Sequence, residues 1–412
     1  MTKTTKLNTW DGNRTITLKF QQCNKCDYKM KKILLIVVAL LSALGAEAQY
    51  TYPDAYNQDV LKVTRRVCNE SRKEIVIPKV NGYTVYKTDL HTHTIFSDGR
   101  VTPEWRVEEA WQDGLDAVAI TDHIENRPYI VRTPKYLDGV EVKVENEKQI
   151  SVDLNASVKL AQDQARKCNI LIIPGSEISR PYKVVGHLNA LFTSDNNLIP
   201  AKDPLQALRN AKAQGALVQF NHPGAGRTSL DLTEFEINAY KEGLIDGIEI
   251  FNNSAFYPKA IDRALEKGLF MSANSDIHFT TDGSYAGASL PRNMTMILAE
   301  ERTLDALKEA LLAHRTIAYS FDQMAGEESL LKSLFNACVT AQKVRVNSKG
   351  RTEIHLTNMS SLPFAVSVDG SNPIWIDPFS TVPATVGAEI FDLKIMNMWC
   401  REDCHPVINV KL

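Results

Sequence analysis

From about Tyr83 to Ser320, short apolar runs alternate with amphipathic stretches, and this alternation constrains the fold more than any other feature of the chain. Short apolar runs bounded by polar turns read as buried strands, whereas apolar residues recurring every three or four positions read as one-sided helices. Candidate strands are Val85 to Leu90, Ala117 to Ile120, Ile170 to Pro174, Leu188 to Phe192, Leu217 to Phe220, Gly247 to Phe251 and Leu269 to Ala273. Candidate helices are Pro103 to Asp113, Val152 to Lys167, Pro204 to Gln214, Pro258 to Lys267 and Leu304 to His314. Pro103, Pro204 and Pro258 sit in a first helical turn, where a missing amide hydrogen breaks no helical bond. Strand and helix in turn define the α/β class. After Gln342 the pattern changes to β-branched, alternating segments such as Glu353-Ile354-His355-Leu356 and Phe364-Ala365-Val366-Ser367-Val368, which predict a small β-sheet domain over 343–412 without chemical motifs.

With 412 residues, 44% of them hydrophobic, the chain can bury one large domain and a smaller second one. Lys plus Arg total 47 against 49 for Asp plus Glu, so no basic excess exists to hold a polyanion, and no stable nucleic-acid complex is expected. Near the start, Met30-Lys31-Lys32 precedes an apolar run from Ile33 to Leu44 and then Ala46-Glu47-Ala48. That order describes a secretory signal peptide, because a membrane span needs roughly 20 apolar residues. The expected organisation is an upstream extension and signal over 1–48, with the signal at 30–48, a main domain over 49–325 and the β domain over 343–412. The expected product is periplasmic or extracellular, with no membrane anchor after cleavage. Cys400 and Cys404 lie close enough in sequence for a local disulfide. Trp105 and Trp111, six apart on one predicted helix, read as core.

Of nine histidines, six (His91, His93, His123, His187, His222 and His278) follow an apolar run or close a turn beyond one. Residues just past the strand ends of a parallel barrel converge on one mouth, so ligands remote in sequence become neighbours there. Lys87-Thr88-Asp89-Leu90-His91-Thr92-His93 is followed by Ser97-Asp98-Gly99, and an HxH leaving a strand points both imidazoles the same way. Ala119-Ile120-Thr121-Asp122-His123 ends a second run, and Ile173-Pro174-Gly175-Ser176-Glu177 a third. Later come Gly186-His187, Asn221-His222-Pro223 and Ser275-Asp276-Ile277-His278. Asp122 and Asp89 are candidates for orienting ligands from behind. His314, His355 and His405 lie outside any such motif.

In order and residue type these segments resemble the PHP (polymerase and histidinol phosphatase) family of metallo-phosphoesterases, across roughly Val85 to His278. The resemblance implies a distorted (β/α)7 barrel followed here by the small C-terminal β domain, with three divalent transition metals at the strand ends. Carried over residue by residue, it implies that His91, His93, Glu177 and Asp276 hold the first metal. Glu177 bridges to a second, completed by His187 and His222, while Asp98, His123 and His278 hold a third. Some members have His where this chain has Asp98, which leaves the identity of the third metal open.

Imidazole and carboxylate donors without thiolates suit zinc, manganese or iron. Two such metals about 3.5 to 4 Å apart lower the pKa of a bridging water and direct hydroxide at phosphorus. Arg180, three residues beyond Glu177, and Arg227, after His222, are candidate cations for the phosphoryl oxygens, with Lys183 and Arg292 as further positive charge. The expected function is therefore exported, metal-dependent hydrolysis of a small-molecule phosphate ester, diesters being favoured over monoesters. A histidinol-phosphatase-like monoesterase and a non-catalytic metal-binding module are the alternatives.

Overall fold

The computed structural model describes residues 72–127, 153–285 and 292–412, together with the short strands Lys3–Asn8, Thr15–Phe20, Tyr136–Leu137 and Val140–Glu141. The chain divides into two compact units, 1–69 and 70–412. In the first, Lys3–Asn8 and Thr15–Phe20 pair as an antiparallel hairpin, with Leu7 opposite Ile16. The proposed signal, 30–48, lies outside the described residues.

The apolar runs of the second unit are strands: β1 (Thr84–Asp89), β2 (Ala117–Ile120), β3 (Leu171–Ser179), β4 (His187–Leu191), β5 (Leu217–Phe220), β6 (Gly247–Asn252) and β7 (Phe270–Asn274). Parallel pairing joins β1 to β2, β2 to β3, β5 to β6 and β6 to β7, while β4 lies antiparallel between β3 and β5. The reversal of β4 breaks the parallel order of the sheet. It also brings the first residue of β4, His187, to the end of the sheet where the other strands finish.

β3 runs five residues past Pro174, where the sequence reading stopped, because β4 pairs with it from Gly175 opposite Leu191 to Ser179 opposite His187. Gly175 is required in that ladder, since a Cβ there would come 2.6 Å from the Ala190 carbonyl. On the far side, β8 (Met294–Ala299), β9 (Thr316–Ser320) and β10 (Gln323–Gly326) continue the sheet antiparallel from β1. No backbone ladder is assigned between β7 and β8. Threonines tie β7 to this side instead: Thr295 Oγ1 of β8 lies 3.0 Å from both the amide and the carbonyl of Ala273, and the Met271 amide donates to Thr316 Oγ1 of β9 at 3.3 Å.

The connecting helices are α1 (Pro103–Gln112), α2 (Ala156–Cys168), α3 (Pro204–Ala213), α4 (Glu234–Lys241), α5 (Pro258–Lys267) and α6 (Leu304–Leu312). Their starts are chemically marked: Thr102, Asp203, Thr233 and Thr303 each accept an amide hydrogen of the first turn. Thr233 and Glu236 form a reciprocal capping box. Contrary to the sequence reading, Trp105 is 49% exposed, while Trp111 packs partly buried against the core. Inside the barrel, Leu90, Ile173, Leu217 and Ile297 surround Phe270. Gly247 makes room for that ring, because a Cβ at position 247 would fall 2.2 Å from it.

Helix α7 (Glu328–Cys338) leads into β11 (Val339–Val346), β12 (Thr352–Asn358), β13 (Phe364–Val368), β14 (Ile374–Ile376), β15 (Thr381–Val386), β16 (Ile390–Ile395), β17 (Met398–Trp399) and β18 (Val407–Lys411). Two sheets form, β11–β12–β15 and β14–β13–β16–β18, while β17 pairs in parallel with β10 of the barrel sheet. Ile354, Leu356, Phe364 and Leu393 from these sheets share one apolar cluster with Leu331 and Leu334 of α7 and with Met294, Met296 and Ile317 of the barrel. The C-terminal region is thereby welded to the barrel wall. Cys400 and Cys404 in this region are both free.

Candidate metal centre

The cluster begins where β1 ends. The HxH loop is held in place by its backbone: His93 N donates to Ile277 O at 3.1 Å and Thr121 N to Thr92 O at 3.1 Å. His91 and His93 are both fully buried, with their Nε2 atoms only 3.1 Å apart. Asp276 Oδ1 lies 3.2 Å from one and 3.0 Å from the other. Two imidazole nitrogens crowded onto one carboxylate oxygen are placed as ligands sharing a cation.

Glu177, in β3, links the rest. Its Oε1 lies 3.3 Å from His91 Nε2, 3.1 Å from His187 Nδ1 and 3.6 Å from His222 Nε2. Its Oε2 lies 2.6 Å from His123 Nδ1 and 3.7 Å from His93 Nε2. Around Asp98 Oδ1 stand His123 Nε2 at 3.3 Å and His278 Nε2 at 3.1 Å. Four overlapping groups result: His91, His93, Asp276; His91, Glu177, His222; His123, Glu177, His187; and His93, Asp98, His123, His278. All nine ligands read from the sequence fall into them. The grouping differs in detail from the one the resemblance implied, since His93 also reaches the Asp98 set and His123 also reaches Glu177.

The donors fit divalent transition metals. Every donor is nitrogen or oxygen, and the fully buried Glu177 Oε2 faces only imidazole nitrogens, His123 Nδ1 at 2.6 Å and His93 Nε2 at 3.7 Å. A buried carboxylate is costly unless positive charge meets it. Electrostatics within the cluster point the same way. Burial disfavours the charged form of His91, but Asp276, Glu177 and Glu249 overcome it and hold its pKa well above the ordinary value. His123, similarly opposed by burial, is pushed up to about 10 by Glu177 and Asp98. His93 goes the other way, to about 4, through burial and the neighbouring His123.

Two ligands have left-handed backbones, His222 at φ 26° and Asp276 at φ 51°. Such conformations cost about 1–3 kcal/mol each and persist only where surrounding bonds impose them. Here the His222 amide donates to Glu249 Oε2 at 2.6 Å and the Asp276 amide to the His91 carbonyl at 2.9 Å.

Glu249 is the residue that sequence reasoning missed. It lies in β6, fully buried, and its Oε1 accepts from His91 Nδ1 at 2.9 Å and from Asn274 Nδ2 at 3.0 Å. One carboxylate therefore orients two ligands, fixing His91 with Nε2 toward the cluster. The available signal was a single acid in the otherwise apolar Gly247-Ile248-Glu249-Ile250-Phe251. Asn221, also missed, donates to Glu177 Oε1 at 2.9 Å. Asp122 supports the HxH loop, accepting from Thr94 N at 2.8 Å and Ser97 Oγ at 2.6 Å, and Ser97 Oγ lies 3.4 Å from His93 Nδ1. Asp89 is bound by the fully buried Arg292 and accepts from the amides of His91 and Ser275, each at 3.2 Å.

The proposed cations are engaged elsewhere. Arg180 pairs with Glu125 at 2.6 Å and donates to the Ala201 carbonyl at 2.6 Å. Arg227 pairs with Glu236 at 3.1 Å. Arg292 is sealed against Asp89, so it cannot serve as the additional substrate-facing charge expected of it. His314 and His405 contact Glu327 and the Met398 carbonyl, away from the cluster.

A family model described as PHP domain matches residues 89–248. No curated protein matches the chain. Among solved structures, a two-domain protein from Bacteroides vulgatus ATCC 8482, containing a predicted PHP-like metal-dependent phosphoesterase, is 33% identical, with TM-score 0.73, over 83% of this chain and 99% of that one. A Bifidobacterium adolescentis ATCC 15703 protein described as a metal-dependent phosphoesterase is 18% identical, with TM-score 0.35, over 55% of this chain and 96% of that one. The lesion-specific endonuclease PfuEndoQ from Pyrococcus furiosus is 16% identical, with TM-score 0.38, over 59% of each chain.

Proposed function

The chain belongs to the PHP family of metal-dependent phosphoesterases, and from that premise we propose that it hydrolyses phosphate diesters at a three-metal centre after export from the cytoplasm. The observation that carries the reading is the convergence of nine nitrogen and oxygen ligands on overlapping groups that share Glu177. His91, His93 and Asp276 would hold one metal, His187 and His222 with Glu177 a second, and Asp98, His123 and His278 a third. Bound there, zinc, manganese or iron supplies Lewis acidity and a water acidified toward neutral pH.

The chain's own groups prepare the site for that chemistry. Glu249 fixes the ring of His91 and the backbone of His222, so two ligands need no reorientation when a substrate arrives. Asp122, through Thr94 and Ser97, does the same for the HxH loop. Burial of His91, His93 and Glu177 excludes bulk water from their side of the cluster, where charge interactions are correspondingly stronger.

Support for a diester comes from charge. A dianionic monoester calls for fixed cations, and Arg180, Arg227 and Arg292 are paired with Glu125, Glu236 and Asp89. Support for export comes from the basic, apolar and small-residue order of 30–48.

The test is hydrolysis of bis(4-nitrophenyl) phosphate against 4-nitrophenyl phosphate by purified protein with manganese or zinc. Preferential turnover of the diester is expected. Preference for the monoester would overturn the diester reading, and turnover of neither would overturn the enzymatic one. Export is checked by recovering the protein outside the cytoplasm with Gln49 as its first residue, and retention of an intact 30–48 segment would refute it.

A further inference from the structure

Tyr182 lies in the turn between β3 and β4. The amides of Val184, Val185 and Gly186 all approach the Pro181 carbonyl, at 3.0, 3.0 and 3.2 Å, so the turn is tightly wound. The tyrosine ring stacks on His187 with centroids 4.4 Å apart and planes 24° from parallel, and meets His222 edge-on at 5.7 Å. These two imidazoles flank Glu177 Oε1. Gly226 backs the ring, because a Cβ there would approach Tyr182 to 3.1 Å. The side chain is thus held against the ligands on one hand and a glycine loop on the other.

Despite this packing Tyr182 remains 40% exposed, and no described residue hydrogen-bonds its hydroxyl. A fixed polar group that meets the candidate ligand rings yet has no partner among the described residues is available to a bound molecule. A phenol keeps its proton at neutral pH and is an uncharged donor. The guanidinium groups of Arg180, Arg227 and Arg292 already serve carboxylates, which leaves the phenol as the polar group held directly against His187 and His222.

We propose that Tyr182 donates a hydrogen bond to a non-bridging oxygen of a monoanionic phosphodiester seated at the cluster, and is a specificity-determining residue for that ester class. This rests on the phosphodiesterase reading above. A neutral donor matches the single charge of a diester, whereas it leaves the second charge of a monoester without a partner. Stacking on His187 supplies the rigidity that makes such a contact selective.

The experiment compares full-length, metal-loaded wild type with Tyr182→Phe, which keeps the ring and removes the hydroxyl. Three quantities are measured: bound metal per chain, calorimetric affinity for dimethyl phosphate, and kcat/KM for bis(4-nitrophenyl) phosphate and for 4-nitrophenyl phosphate. Unchanged metal content is expected, with dimethyl phosphate binding and diester kcat/KM each reduced about ten-fold and the monoester rate little altered. Equal dimethyl phosphate affinity in the two proteins would overturn the proposal, as would a loss accompanied by loss of metal or an equal fall for both esters. Wild-type protein that binds dimethyl phosphate but turns over no diester would overturn the phosphodiesterase reading instead, and the two affinities would still decide the tyrosine contact.

Discussion

Glu177 and Glu249 divide the labour at the cluster. Glu177 presents its oxygens to five imidazoles, whereas Glu249 stands behind His91 and His222 and sets their orientation. Glu177→Gln should therefore reduce bound metal and lower activity by at least about a hundred-fold, on the scale seen when groups acting directly on reacting charge are lost. His314→Ala, far from the cluster, should leave both unchanged, and comparable losses in the two variants would misplace the site. Glu249→Gln keeps the shape but replaces one of the two acceptor oxygens, which serve His91 Nδ1 and the His222 amide, with an NH2 donor. Metal affinity, read by competition with a chromophoric chelator, should fall about 10- to 100-fold, and wild-type affinity would show Glu249 to be structural only. The nine candidate ligands that the fold gathers could be picked out in the sequence because most close a strand-like run and their residue types suit metal binding. Glu249 and Asn221 were not, because their contacts with the cluster are tertiary and no local spacing encodes them. Arg180 and Arg227 illustrate the reverse: a cation near a motif in sequence is spent on whatever carboxylate the fold puts beside it.

At the scale of elements, Ala117–Ile120, Leu217–Phe220 and Pro258–Lys267 match the sequence reading end to end, because buried runs and proline starts are local signals. β3 outruns its reading because a Pro-Gly pair that ordinarily ends a strand is here carried through by an antiparallel partner. β8 is an apolar run as well, but such a run is equally consistent with a buried helix segment until its neighbours are known. Tight packing makes one element-level prediction. Gly247→Ala places a methyl against the Phe270 ring and should cost about 1–3 kcal/mol in urea unfolding. Phe270→Leu in the same chain should recover part of that loss. Equal stability of wild type and Gly247→Ala would show that the ring yields freely.

Among the described residues of 70–412, barrel and β sheets share an apolar cluster, and β17 adds a strand to the barrel's own sheet. The composition shift after Gln342 marked a β region but not this union, since apolar residues in separate segments do not announce which partner they bury against. Removing 327–412 would uncover Met294, Met296, Ile317 and Tyr319 on the barrel wall. Such an exposed patch favours aggregation, so the truncated chain should be insoluble or self-associated by light scattering, and a soluble, monomeric barrel would contradict the shared core. The central claim, that distant segments meet to hold a metal cluster, is tested most directly by anomalous diffraction from crystals of the metal-loaded protein. Three peaks are expected among His91, His93, Asp98, His123, Glu177, His187, His222, Asp276 and His278, with Glu177 touching at least two. A single peak, or peaks outside these residues, would contradict the claim.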